Sequence, residues 1–180
     1  AQQKTFVLDA AKPAKGAPIA QTMYGLFFED INFAADGGLY AEMVKNRSFE
    51  FPQTLMGWES FGNVEVRTAG APFERNPHYV HLDPAGHPHK RTGLQNEGFF
   101  GVAVQKGKEY RFSVWARATK GKSKITVELT DPASMGETQV IGSADVEING
   151  KEWKKYTATI KATDSVKKGK LRIFLSGESV

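Results

Sequence analysis

A chain of 180 residues can bury a sizeable core as one domain with a modest extra segment. Its 40% hydrophobic and 24% charged residues are ordinary globular usage, and no apolar run approaches the roughly 20 residues that span a bilayer, so a membrane helix is excluded. The net charge of +4 comes from scattered Lys and Arg, which points away from nucleic acid, and the absence of cysteine excludes disulfides and thiolate chemistry.

The opening Ala1-Gln2-Gln3-Lys4 has no initiating Met and no hydrophobic leader core. A mature end left by signal-peptide removal looks like this, and so does a trimmed piece; a secreted or periplasmic bacterial protein is the expectation. Thr5–Leu8 reads as a short strand, and the Pro/Ala/Lys/Gly stretch Ala10–Pro18 as a connector. Gly25–Ile31 is an apolar run ending in Glu29-Asp30, the pattern of a buried strand with acidic residues at its C-terminal end. Asp36 ahead of Gly37-Gly38 can cap a short helix, on which Leu39, Tyr40, Met43 and Val44 form one apolar stripe.

From Trp58 onward the pattern changes to short alternating runs broken by turn residues. Strands are predicted near Val64–Thr68, Tyr79–Leu82, Phe99–Val104, Glu109–Ala118, Lys124–Thr130, Val140–Ile148, Trp153–Lys161 and Lys170–Leu175. Gly107-Lys108, Gly121-Lys122, Asn149-Gly150 and Lys168-Gly169 supply turns, with Asn149-Gly150 the strongest hairpin signal. This spacing argues for a mainly β chain built as an antiparallel sandwich. Alternation places Tyr110, Phe112, Val114 and Ala116 inward and Arg111, Ser113, Trp115 and Arg117 outward. By the same rule Ile125, Val127 and Leu129 point inward, opposite Thr126, Glu128 and Thr130. Tyr156, Ala158 and Ile160 point inward, opposite Trp153, Lys155, Thr157 and Thr159.

Trp115 between Arg111 and Arg117 is the most suggestive constellation in the sandwich. A sugar ring stacks its apolar face on an aromatic plane, while its hydroxyls bond to neighbouring polar side chains. The competing reading, and the commoner state of a lone aromatic, is that Trp115 packs under a loop or against a neighbouring domain. His78, His81, His87 and His89 are bunched, but among Pro and Gly and without an acidic ligand set, so a solvated loop is preferred to a metal site. Asn46-Arg47-Ser48 matches a glycosylation sequon and is read as structural. Glu29 and Asp30 are adjacent on a strand and point apart, so they cannot form a glycosidase pair; either one could bind a hydroxyl or serve as a structural salt bridge or cap.

The stretch YGLFFEDINFAADGGLYAEMVKNRSFEF, Tyr24–Phe51, closely resembles the N-terminal signature of α-L-arabinofuranosidases of glycoside hydrolase family 51. GLQNEGFFGVAVQKGKEYRFSVWARA, Gly93–Ala118, is similar to the module inserted into longer members of that family, a jelly-roll-like sandwich of the family 4/9 carbohydrate-binding type. Trp153 followed by Tyr156 fits a late strand of such modules. The resemblance implies that residues 1–55 belong to the catalytic region, contributing a strand and the first βα unit of a (β/α)₈ barrel. Residues 56–180 would be the module, lacking its last strand, so that Lys170–Leu175 would border an open edge and the chain would be a cleaved or truncated piece.

The resemblance also implies that Glu29 binds arabinose, while the acid/base and nucleophile glutamates lie on later barrel strands. The intact protein would then be a retaining exo-α-L-arabinofuranosidase acting on arabinan or arabinoxylan, with this chain alone inactive. Its partners would be arabinose-containing polysaccharide or oligosaccharide and the remaining barrel and C-terminal sandwich, with no cofactor. A stand-alone carbohydrate-binding module and a non-binding structural spacer are the alternatives.

Overall fold

The computed structural model describes residues 42–85, 91–132 and 138–180. Thr5–Leu8, Gly25–Ile31, Glu29 and the start of the predicted helix lie outside the described residues. Met43 and Val44, from its apolar stripe, sit in irregular backbone leading into a turn, and both pack against the core.

Ten strands follow: β1 Trp58–Phe61, β2 Asn63–Arg67, β3 Tyr79–Asp83, β4 Gly93–Asn96, β5 Val102–Val104, β6 Glu109–Ala116, β7 Lys122–Asp131, β8 Gln139–Asn149, β9 Lys154–Lys161 and β10 Val166–Leu175. The main sheet runs β1-β4-β10-β7-β8, with β5 also paired to β10; β2–β3 and β6–β9 form two ribbons. All strand pairs are antiparallel. The inward residues of β6 and β9, including Tyr110, Phe112, Val114, Tyr156, Ala158 and Ile160, pack on a core of Ile125, Val127, Leu129, Val146, Ile148 and Leu171. The result is an antiparallel β-sandwich.

The inner faces obey the predicted alternation because period-two apolar residues can be buried only on one side of a pleat. On β7, however, Glu128 and Thr130 are buried along with Val127 and Leu129, contrary to the outward exposure expected of them. Their face is covered too. In register across the main sheet, Glu59, Gln95, Arg172 and Glu128 form one row on that outer side.

Three further expectations are corrected. Lys170–Leu175 borders no open edge: it pairs with β7 on one side, while Leu171–Phe174 pair with β4 on the other. β4 escaped prediction because Gln95 and Asn96 interrupt any apolar alternation, yet both are buried and bonded. Asn149-Gly150 closes no hairpin, since β8 belongs to the main sheet and β9 pairs with β6. There Gly150 exchanges backbone bonds with the neighbouring turn, donating to Gly121 O at 2.8 Å and accepting from Ala118 N at 2.9 Å, so the chain changes layer.

Lys168-Gly169 is likewise no turn. It lies within β10, where the register with β5 shifts between Val166 and Gly169. A Cβ at Gly169 would come within 2.8 Å of the carbonyl oxygens of Thr130 and Val102, so the close backbone approach requires glycine.

The segment before β1 is fastened by two buried amides. Asn96 Oδ1 accepts from Lys45 N at 3.0 Å and its Nδ2 donates to Lys45 O at 2.8 Å. Asn46, 1% exposed, donates from Nδ2 to Thr54 O and Met56 O. Its carbonyl also accepts from the Trp58 indole at 2.9 Å. The sequon asparagine is therefore a structural hub with its amide nitrogen already engaged.

Candidate functional site

The outward residues of β6 and β9 alternate strictly with the core residues, which brings Trp115 directly opposite Lys155 and Arg111 opposite Thr159. Trp153 precedes β9, and Tyr79 opens β3. Two cavities, of about 370 and 510 Å³, meet at Tyr79, Trp115 and Trp153 and together make one groove. Arg117 lines the first cavity, and Arg111 and Lys155 line the second.

Four aromatic rings organise the groove. Phe73 meets Trp115 edge-on, with centroids 5.1 Å apart at 84°, and Tyr79 meets Trp153 similarly at 5.0 Å and 80°. These edge-to-face geometries match the preference of aromatic quadrupoles. The Arg117 guanidinium lies 5.0 Å from the Trp153 centroid and 6.0 Å from that of Tyr79. Trp153 Nε1 donates to Gly70 O at 2.7 Å, and Tyr79 Oη donates to Ala69 O at 2.8 Å. The connection between β2 and β3 is thereby held as one wall. Its other end is fixed at His78, whose backbone N donates to Glu50 Oε1 at 2.8 Å and whose Nδ1 lies 2.5 Å from Glu50 Oε2.

Trp115 thus combines elements of both sequence readings. A loop does reach it, through Phe73, yet 43% of Trp115 and 44% of Phe73 remain exposed. Arg111 stands exposed on the same face, whereas Arg117 is drawn against two rings. The structure brings Trp115, Arg111 and Arg117 around one groove; Glu29 lies outside the described residues. Sequence reasoning left out Phe73 and Tyr79, and saw Trp153 only as an outward strand residue. Phe73 sits in a Pro/Gly-rich connection with no periodicity, and no local signal shows that this connection folds back onto β6.

The charges around the groove are mainly positive. The side-chain carboxylate among its described lining residues is Glu42, which accepts from Val44 N at 3.0 Å and from Arg47 Nη1 at 3.2 Å. A glycosidase needs two carboxyls converging on one bond, and the described lining offers no such pair. What this arrangement can do is bind. Of the histidines, His78 is engaged with Glu50 and His81 sits opposite Glu65 in the β2–β3 ribbon; His87 and His89 lie outside the described residues. Burial, with the Arg67 charge next, pushes His81 below the usual histidine range. At Glu50 burial pushes the carboxyl up, but the His78 amide and ring outweigh it and hold the group below its ordinary value.

Residues 41–179 match the Carbohydrate binding domain family CBM_4_9. The chain is 45% identical over 169 residues to an extracellular exo-α-L-arabinofuranosidase of Streptomyces chartreusis, across 89% of this chain and 19% of that protein. It is 33% identical over 156 residues to α-L-arabinofuranosidase 1 of Arabidopsis thaliana, across 78% of this chain and 23% of that one. The structure of an arabinose-bound GH51 α-L-arabinofuranosidase superposes with a TM-score of 0.69 at 25% identity, over 87% of this chain and 27% of that chain. The chain therefore spans about a fifth of the length of these curated relatives. With its match running from residue 41 to residue 179, the chain belongs to the Carbohydrate binding domain family, and its relatives are α-L-arabinofuranosidases.

Proposed function

We propose that the sandwich is a carbohydrate-binding module of an α-L-arabinofuranosidase and that it holds arabinose-containing polysaccharide in the groove at Trp115. The observation that carries this reading is the half-exposed pair Trp115 and Phe73 at the meeting of two cavities, beside Arg111 and Lys155. A sugar ring would lay its apolar face on the indole while its hydroxyls accept from the basic side chains. The intact protein is then a secreted, retaining exo-enzyme releasing arabinose from arabinan or arabinoxylan. Glu29 contacts the arabinose in the barrel segment of residues 1–55, and residues 56–180 carry a jelly-roll module. The acid/base and nucleophile carboxylates belong to barrel strands outside these 180 residues.

Calorimetry of the chain with arabinan and arabinoxylan oligosaccharides, alongside Trp115→Ala, tests the module reading. Binding in the parent that weakens about tenfold in the variant is the expected result; silence in both leaves a packing spacer. One observation favours the spacer: Trp153 gives its indole N–H to Gly70 O and stacks with Arg117, as a residue committed to packing does. On the enzymatic side, the 180-residue chain is expected to leave an aryl arabinofuranoside unhydrolysed. Turnover by the chain alone would overturn the assignment of the catalytic pair to other polypeptide.

A further inference from the structure

We infer that the groove selects an acidic polysaccharide, a chain bearing uronate carboxylates, over a neutral one; this rests on the carbohydrate-binding reading above. Aromatic rings stack on any sugar and discriminate little, so selectivity has to come from the polar lining. The unpaired charge on that lining is one-sided, although Ser48, Asn76 and Ser113 also line it. Arg111, Lys151 and Lys155 carry no ion pair among the described residues, and Arg117 is held by rings rather than by a carboxylate. The lining carboxylate Glu42 is already engaged by Arg47 and a backbone amide. Arg67, at the first cavity's rim, is paired with Glu65.

Neutral sugars present hydroxyls that both donate and accept, and sites for them mix Asn, Gln, Asp and Glu with donors. Lys and Arg only donate, which matches a group that only accepts. A carboxylate is that group, and the planar Arg fork fits it in a charge-assisted, two-pronged contact. A cleft lined by one sign of charge also concentrates ligands of the opposite sign. The layout suits an extended chain. Lys155 faces Trp115 directly across the ribbon, while Arg111 lies four residues back on the same face, roughly 13 Å along the strand. The two cations would therefore meet carboxylates on different sugar units, with Trp115 stacking the unit beside Lys155.

The test compares the 180-residue chain with an oligogalacturonate and a neutral arabinan oligosaccharide of matched length by calorimetry, at low salt and in about 0.5 M NaCl. The acidic oligomer is expected to bind about tenfold more tightly at low salt, the size of two modest surface ion pairs. That advantage should vanish in high salt and in Arg111→Gln/Lys155→Gln, which should bind the acidic and the neutral oligomer equally. Equal affinity for both oligomers overturns the charge selectivity while the binding-module reading survives. Binding of neither overturns both. Polyglutamate bound as tightly as the oligogalacturonate, with Trp115→Ala unaffected, would reduce the effect to general polyanion attraction and also overturn the inference.

Discussion

On the outer side of the main sheet, Glu59, Gln95, Arg172 and Glu128 stand in register, and each makes a side-chain hydrogen bond, to a neighbour in the row or to Arg91 or Thr138. Gln95 Nε2 donates to Glu59 Oε2 at 2.7 Å, and Arg172 Nε donates to Gln95 Oε1 at 2.7 Å. Arg91 Nη2 donates to Glu128 Oε1 at 2.8 Å, with its guanidinium 3.8 Å above the Phe174 ring. On the outer side of the β6–β9 ribbon, Arg111, Ser113, Thr157 and Thr159 have no side-chain hydrogen bond among the described residues. Similar residue types thus do opposite work. The first face closes polar groups into a bonded row, where loss of one member strands its neighbours. The second leaves donors open and rings half-exposed, which contributes little to folding and suits a ligand.

That contrast is broken most severely at Gly93 of β4. A Cβ there would lie 2.1 Å from Ile173 O and 2.9 Å from Phe174 Cα, both backbone atoms of a central strand. Gly93→Ala is expected to cost about 3 kcal/mol, the upper range for overpacking, visible as a lower denaturant midpoint. A parent-like midpoint would mean that β4 can move away from β10 without loss. Arg91→Met comes next. Glu128 is 8% exposed at its side chain and its Oε2 has no partner, so removing Arg91 leaves a nearly buried carboxylate with no ion pair. Because Arg91 itself is half-exposed, the expected loss is about 1–2 kcal/mol. Adding Glu128→Met should recover most of it, since an apolar pair removes the uncompensated charge. No recovery in the double variant would place the loss in the Arg91–Phe174 stack instead.

The same contrast marks what the amino-acid order could and could not tell. Strands β6 and β9 were legible because one face meets the core and the other meets solvent, which is the condition for clean alternation. Main-sheet strands that are covered on both sides blur that signal. Glu128 and Thr130 were expected outside, and Gln95-Asn96 hid β4 altogether, because a buried polar residue bonded to neighbours reads locally as a solvated one. Trp115, Arg111 and Arg117 could be singled out as outward residues beside each other in sequence. Phe73, Tyr79 and the role of Trp153 could not, since Phe73 meets Trp115 and Tyr79 meets Trp153 only through pairings far apart in sequence. Asn149-Gly150 shows the limit of dipeptide signals: the turn chemistry was read, but the partner of the following strand is set by the core.

The open face should yield on binding what it withholds on stability. Trp115→Ala is expected to lower stability by less than about 1 kcal/mol, because the ring is half-exposed, yet to weaken sugar affinity about tenfold. Trp153→Phe separates packing from recognition. It keeps an aromatic against Tyr79 but removes the bond to Gly70 O, costing about 1 kcal/mol in thermal or chemical unfolding. A loss of stability larger for Trp115→Ala than for Trp153→Phe would reverse these roles and favour the spacer.

The smallest effect lies between the two faces, at His81 and Glu50. Burial and the Arg67 and Arg117 charges favour neutral His81 in the folded chain, against the pull of Asp83 and Glu65. The unfolded chain therefore takes up a proton first as pH falls past about 6.5, so this contribution is fully present above that value and is lost as pH falls through the lowered folded pKa. Glu50 has its pKa lowered by His78, so its contribution is present above the ordinary carboxylate range near 4.5 and is lost only at more acidic pH. Two separate acid-side declines should appear in the denaturant midpoint. In His81→Gln the first, which sets in as pH falls past about 6.5, should flatten while the second remains. A first decline of undiminished size in that variant would show that a group other than His81 titrates there.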